Sequence, residues 1–227
     1  MKKTTFVALL VLSFQCMAEN LDDSLQRIES EWAQIHYQMP NHQETAFDKL
    51  LEKTVKLSKQ YPKNAEPIIW TAIIKATNAE NQNAVSALEA IHDARDLLLE
   101  AIKINPSALG GSAQVTLGAL YYLTPKWPIG YGDEQAAKEM LETALRINPQ
   151  GIESNYFYGD FLLSRNAFNE AETHFQRALA ARSRPEQLLA DSQIKELAKI
   201  GLQNAMKMKL NMTKSTFASL IDSNLTK

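Results

Sequence analysis

The hexapeptide AIKINP at residues 101–106 returns as ALRINP at residues 144–149, 43 positions later. Self-similarity at a period of a few tens of residues is the mark of stacked supersecondary units. A single such unit cannot bury its own apolar face, so the chain is constrained to an array. Upstream of each proline the pattern continues. One unit carries Leu117, Gly118 and Tyr121, then Ala137, Leu141, Ala144 and Pro149. The next carries Tyr158, Gly159 and Leu162, then Ala171, Phe175 and Ala178. A weaker earlier unit has Trp70, Ile73, Ile74 and Thr77, then Ala94, Leu98, Ala101 and Pro106.

The units are helical. Leu21, Leu25, Ile28, Trp32 and Ile35 step by three or four residues, the spacing of one helix face, and Asn20 is placed to cap that helix. Comparable stripes run through Phe47–Leu57, Trp70–Thr77, Val85–Ile102, 112–123, 133–147, 152–164, 168–181 and, after Pro185, through Leu188, Ile194, Leu197 and Ile200. No segment alternates apolar and polar residues with β-branched enrichment, which excludes a sheet. The tail from Asn211 is expected to form a short capping helix or to fray. Within each pair, Gly118 and Gly159 let two helices approach, and Leu141 and Phe175 fill the space beside them.

This order of residues resembles the tetratricopeptide repeat, with W-x-x-L-G-x-x-Y in a first helix, A-x-x-x-F and a later Ala in a second, and a closing Pro. The resemblance covers Pro67–Ala181 and implies an all-α, right-handed α-solenoid of about three hairpins. Flanking helices are expected at 19–66, packing on the solenoid, and at 182–227, as a capping helix and tail. In that family the first helix of each pair lines a concave face that binds protein segments. Carried over by position, the inward residues are Tyr156, Asp160 and Ser164 in one unit, Val115, Ala119 and Tyr122 in its neighbour, and Thr71, Lys75 and Asn78 in the weak unit. Tyr122 and Tyr156 are expected to anchor a partner, or else to pack between helices.

The spacing from Gly159 to Ala171 is 12 residues, but that from Gly118 to Ala137 is 19. Seven extra residues therefore sit at a hairpin tip, within TPKWPIGYGD. Pro125 and Pro128 force an extended path, Gly130 and Gly132 allow positive φ, and Asp133 is placed to cap the next helix. Trp127 and Tyr131 either cover the hairpin's apolar end or form the rim of a binding site. The loop and its G-x-G-D helix start also resemble bacterial exported repeat proteins such as the T component of TRAP transporters, periplasmic partners of solute-binding proteins. That likeness implies an alternative function, the binding or channelling of a small apolar ligand.

Residues 1–18 have Lys2 and Lys3, an apolar run from Phe6 to Phe14, and small residues ending at Ala18, the layout of a secretory signal peptide. Cleavage after Ala18 would change the formal charge from −2 to −4 and send the protein to the bacterial periplasm. Phe14 and Gln15 precede Cys16 where a lipid-anchoring signal has small residues, which argues against an anchor there. No later stretch is long enough to span a bilayer. A chain 45% hydrophobic and 22% charged is an ordinary folded one, and its acidic balance excludes the basic footprint of a nucleic-acid binder. His36, His42, His92 and His174 fall into no metal-ligand spacing and are expected at the surface or at edges, and no nucleotide-binding or nucleophile motif is present. The expectation is thus a non-enzymatic periplasmic scaffold that uses no cofactor or metal and binds another envelope protein.

Overall fold

A computed structural model describes residues 20–225, with side chains through residue 212. The proposed signal peptide and Cys16 lie outside the described residues. Nine α-helices make up the described chain, with no strand among them: α1 (Leu21–Gln38), α2 (Gln43–Gln60), α3 (Glu66–Asn78), α4 (Ala84–Ile104), α5 (Ser112–Leu123), α6 (Glu134–Ile147), α7 (Ile152–Ser164), α8 (Phe168–Ala180) and α9 (Leu188–Leu225). Short 3₁₀ turns occupy Ala79–Asn81, Ala108–Gly111 and Pro185–Gln187. Three of the helices, α1, α4 and α6, begin where a short polar side chain satisfies orphan N–H groups. Asn20 accepts from Asp22 N, Asn83 from Val85 N and Ser86 N, and Asp133 from Gln135 N and Ala136 N. Both INP sequences end a helix at the isoleucine, giving Ile104 and Ile147 as last residues, because a residue before proline is pushed out of the helical region.

Consecutive helices pack as hairpins, α3 on α4, α5 on α6 and α7 on α8, and each hairpin stacks on the next. The odd-numbered helices also touch each other, α3 to α5, α5 to α7 and α7 to α9, so they line the tighter, inner curve. The core is accordingly a row of clusters. Leu25, Ile28, Phe47, Leu50, Trp70 and Ile74 join α1–α3; Ile69, Ala72, Ala94, Leu98 and Leu117 join α3–α5; Leu162, Ala171, Phe175, Ala178, Ala198 and Ala205 join α7–α9.

The small residues are the contact seams. A Cβ on Gly118 would lie 2.6 Å from Leu141 Cγ, and one on Gly159 would lie 3.0 Å from the Phe175 ring. A third glycine does the same work: Gly201 of α9 faces Phe175 from the other side, where a Cβ would come within 2.5 Å of Cζ. Phe175 is therefore clamped between two helix backbones, which explains why it is fully buried.

The C-terminal region departs from the sequence expectation twice. No separate capping helix follows Asn211, since α9 continues unbroken to Leu225. Leu188, Leu197 and Ile200 are exposed, and α9 packs instead through Ala190, Ile194, Ala198, Gly201 and Ala205. Small residues win that face because close approach to α8 leaves no room for leucine. Val85, at the start of α4, is likewise exposed.

The inner curve is also less open than repeat spacing implies. α1 packs on α2 and α3 and in addition reaches α9 and the 185–187 turn. It uses two faces. Leu25, Ile28 and Ile35 look toward α2 and α3, while Glu29, Ala33 and Tyr37, spaced by four, look toward α7 and α9.

Candidate functional site

The 124–133 insertion at the α5–α6 tip is held by its own backbone. Gly132 N donates to Pro125 O at 2.9 Å, and Asp133 N donates to Tyr121 O at 2.9 Å. Neither Gly130 nor Gly132 adopts positive φ; the positive-φ glycines are Gly110 and Gly111, in the turn between α4 and α5. The insertion needs glycine for space. A Cβ on Gly130 would stand 2.6 Å from Pro125 O, and one on Gly132 would collide with Thr124 O.

The two aromatics of the insertion separate. Tyr131 folds inward: its hydroxyl donates to Ile91 O at 2.7 Å, its ring meets His92 and Tyr121 edge-on, and the Arg95 guanidinium sits 4.7 Å above its centroid. Burial pushes its phenol up to about 12, so it stays a neutral donor and ties the loop to α4. Trp127 points away from the protein and is 85% exposed, and Leu123 and Ile129 are exposed at 65% and 67%. A Trp left this open is uncommon, and an apolar group of this kind on a rigid loop is what interaction surfaces present.

On the inner curve Tyr122 and Asp160 are brought together. The Tyr122 hydroxyl donates to Asp160 Oδ2 at 2.7 Å, joining α5 to α7. Burial first, and then the Asp160 carboxylate, hold the Tyr122 phenol well above its ordinary range. Its ring meets Phe161 edge-on. Tyr156 lies against Phe157 and Phe175, and burial together with Asp160 raises it to about 12. Tyr37 of α1 is raised too, by burial, Glu153 and Tyr156, which places it beside α7. The tyrosines thus form a half-buried wall between inner helices.

The other positions scatter. Val115, Ala119 and Thr71 are buried, Thr71 donating to Pro67 O. Asn78 is buried and donates to Asp48 on α2 at 3.1 Å. Lys75 pairs with Asp93 on α4 at 2.8 Å. The exposed Ser164 donates to Phe161 O.

Two histidines are more enclosed than their isolation in sequence implies. His36 stacks on Trp32, and burial lowers its pKa. His174 Nδ1 stands 3.1 Å from Asn155 Oδ1. Asn155 Nδ2 already donates to Pro149 O and Gly151 O, so Oδ1 must accept and Nδ1 carries the proton. Among the described residues no group of three His, Cys, Asp or Glu is placed to hold a metal ion, and no helix is long and apolar enough to cross a membrane.

Sequence reasoning missed the ionic seam that joins the two ends of the array. Arg184 donates to Glu153 on α7 at 3.0 Å, and its backbone N donates to Asp191 Oδ2 at 2.7 Å. Asp191, on α9, is fully buried. Burial alone would lower the Arg184 pKa, but Glu153 and Asp191 outweigh it and hold the guanidinium above its ordinary range. Glu29 of α1 faces this group and is raised to about 7, chiefly by burial, with Arg184 opposing and Glu153 and Asp191 adding to the rise. Charged residues on four separate elements carry no common spacing, so no motif announces them.

Compared with known proteins, residues 129–191 match the tetratricopeptide repeat family. No curated protein matches the chain. Among solved structures, the crystal structure of MamA protein is similar, with a TM-score of 0.43 and 14% identity, over 85% of this chain and 96% of that one. Residues 129–191 thus carry a tetratricopeptide-repeat match, and the hairpins stacked in series, two of them with a glycine seated against the large residue of the paired helix, are the arrangement that such a repeat implies.

Proposed function

We propose that this protein is a non-catalytic scaffold of the bacterial periplasm that binds a segment of another envelope protein. Repeat solenoids of this kind serve chiefly as extended interaction surfaces. The leader-like residues 1–18 support export. The observation that carries the reading is the tip between α5 and α6. Trp127, Leu123 and Ile129, all at or next to the insertion in sequence, are each exposed, while Tyr131 and two backbone hydrogen bonds keep the insertion in place. A Trp carried on a loop whose backbone is already held costs less ordering on binding than one on a free segment, which favours it as an anchor. Beside it the inner curve, with Tyr122, Tyr156 and Asp160, provides the wall along which an extended or helical segment would run.

The test is recovery of partners from envelope extract with the mature chain as bait. Wild type and Trp127→Ala should have thermal stabilities within about 0.5 kcal/mol of each other, as expected for an exposed side chain. The variant should lose at least tenfold in partner recovery. Equal recovery with both baits would remove the tip from the binding surface. Mass spectrometry of the protein from its own envelope fraction should give Glu19 as the first residue; an intact Met1 would contradict export.

A further inference from the structure

The Glu29–Ala33–Tyr37 face of α1 does no work in the hairpin stack, yet it closes the inner curve. Its Glu29 and Ala33 line a crevice of about 250 Å³ with Pro185, Gln187 and Leu189. Ala33 is buried there, and Tyr37 lies beside Glu153 and Tyr156 of α7. We propose that α1 is a pH-sensitive strap, docked across the inner curve through this face while Glu29 is protonated and released from it as Glu29 ionises. The proposal rests on the inner curve being the binding face, and it adds a means of covering and uncovering it.

The chemistry at the seam favours a neutral Glu29. From α7 it faces Glu153, from the 184–187 segment Arg184 and Gln187, and from α9 Asp191. Two carboxylates therefore share one guanidinium before Glu29 arrives, and Arg184 is already bonded to both. A third carboxylate finds no free cation there, and burial makes its charge costlier still. The exposed Glu186 on the crevice rim adds negative charge. Gln187 hydrogen-bonds to Glu29 in a way that favours the charged carboxylate, against the larger effect of burial; the Gln187 Oε1 is buried without a donor, and a protonated Glu29 can supply one after a flip of the amide. On its opposite side α1 meets other ionisable groups. Glu31 pairs with Lys53 of α2, and His36, near Glu80, titrates in the opposite sense because burial lowers its pKa.

The sign follows from linkage. The docked carboxyl titrates at about 7, against 4.5 when undocked. The released state binds fewer protons between these values, so docking is fully favoured below 4.5 and weakens as pH rises through 7. Those two values raise the opening constant of α1 about 30-fold between about pH 5.5 and about pH 8.5.

Amide hydrogen exchange on the mature chain, corrected for the intrinsic effect of pH, reads this directly. Protection of residues 21–38 should fall about 30-fold over that interval while α5–α8 keep theirs. In Glu29→Gln the fall should disappear, and the His36 contribution, common to both chains, cancels in the comparison. An unchanged α1 in wild type, a loss shared equally by α5–α8, or the same fall in Glu29→Gln would each overturn the strap. So would a Glu29→Gln chain that fails to fold, because the amide imitates the docked, neutral carboxyl. The measurement needs no partner, so its result stands apart from whether envelope proteins bind.

Discussion

Replacing Gly118 by Ala tests the helix-pair seam with a single methyl group. Two opposed effects act. Alanine in place of glycine inside a helix gains roughly 0.5–1 kcal/mol from backbone entropy. Against this, the new Cβ would lie 2.6 Å from Leu141 Cγ and 2.9 Å from Cδ2, with Ala137 O at 3.3 Å. Leu141 is fully buried and has nowhere to swing, so α5 and α6 must separate or the leucine must leave its rotamer. Overpacking of this kind costs about 1–3 kcal/mol, which outweighs the gain and leaves a net loss of about 1 kcal/mol. For a domain of this size that lowers Tm by about 2–4 °C. The sharper test is the sign change in a second background. Leu141→Ala alone should cost about 2–5 kcal/mol through its cavity. With that side chain gone, the close contact left is Ala137 O at 3.3 Å, and Gly118→Ala should stabilise by roughly 0.5 kcal/mol, the lower end of the glycine-to-alanine gain. The coupling between the two sites is then about 1.5 kcal/mol, well above what independent sites show. Urea unfolding followed by helical circular dichroism measures all four chains. An equal cost for Gly118→Ala in both backgrounds would refute the claim that this glycine exists to admit Leu141.

Two further outcomes follow from the ends of the array. Arg184→Ala should destabilise by about 3 kcal/mol, because it strands the buried Asp191 carboxylate; urea unfolding should show most of that recovered on adding Asp191→Asn, and no recovery would mean that the seam is held by something else. His174 should titrate near pH 4 in the folded chain, lowered by burial and by nearby Arg177. Its contribution to stability is complete above about pH 6.5 and declines as pH falls from there toward 4, since the unfolded chain then binds the extra proton. A histidine C2-proton titration by NMR checks this, and an ordinary midpoint near 6.5 would contradict the enclosed, Nδ1-protonated arrangement.

The parts of this protein legible in one dimension are those set by neighbours along the chain. Helix stripes, the caps at Asn20 and Asp133, the stops at the two INP sequences and the glycine-to-leucine or glycine-to-phenylalanine seats all lie within one hairpin, where a fixed 3.6-residue period converts spacing into facing. The extra seven residues before Ala137 were readable for the same reason, since a repeat makes an insertion conspicuous. The fates of Trp127 and Tyr131 were not: four residues apart on one loop, one is anchored on α4 and the other stands in solvent, a choice made by where Ile91 and Arg95 happen to lie. The α9 stripe was misread because Leu197 and Ile200 satisfy helical periodicity as well as Ala198 and Gly201 do, and only the closeness of Phe175 selects the small set.

The candidate binding wall divides in the same way. Placing Tyr122, Tyr156 and Asp160 on inner helices required only the repeat. That Tyr122 bonds to Asp160, that Asn78 is used up by Asp48, and that α1 bridges the curve to meet Arg184 and Asp191 depended on how many hairpins stack and how sharply they turn. Local periodicity is encoded residue by residue, whereas curvature accumulates over every interface in the array, so the meeting of α1 with α9 exists only once all the hairpins between them are in place.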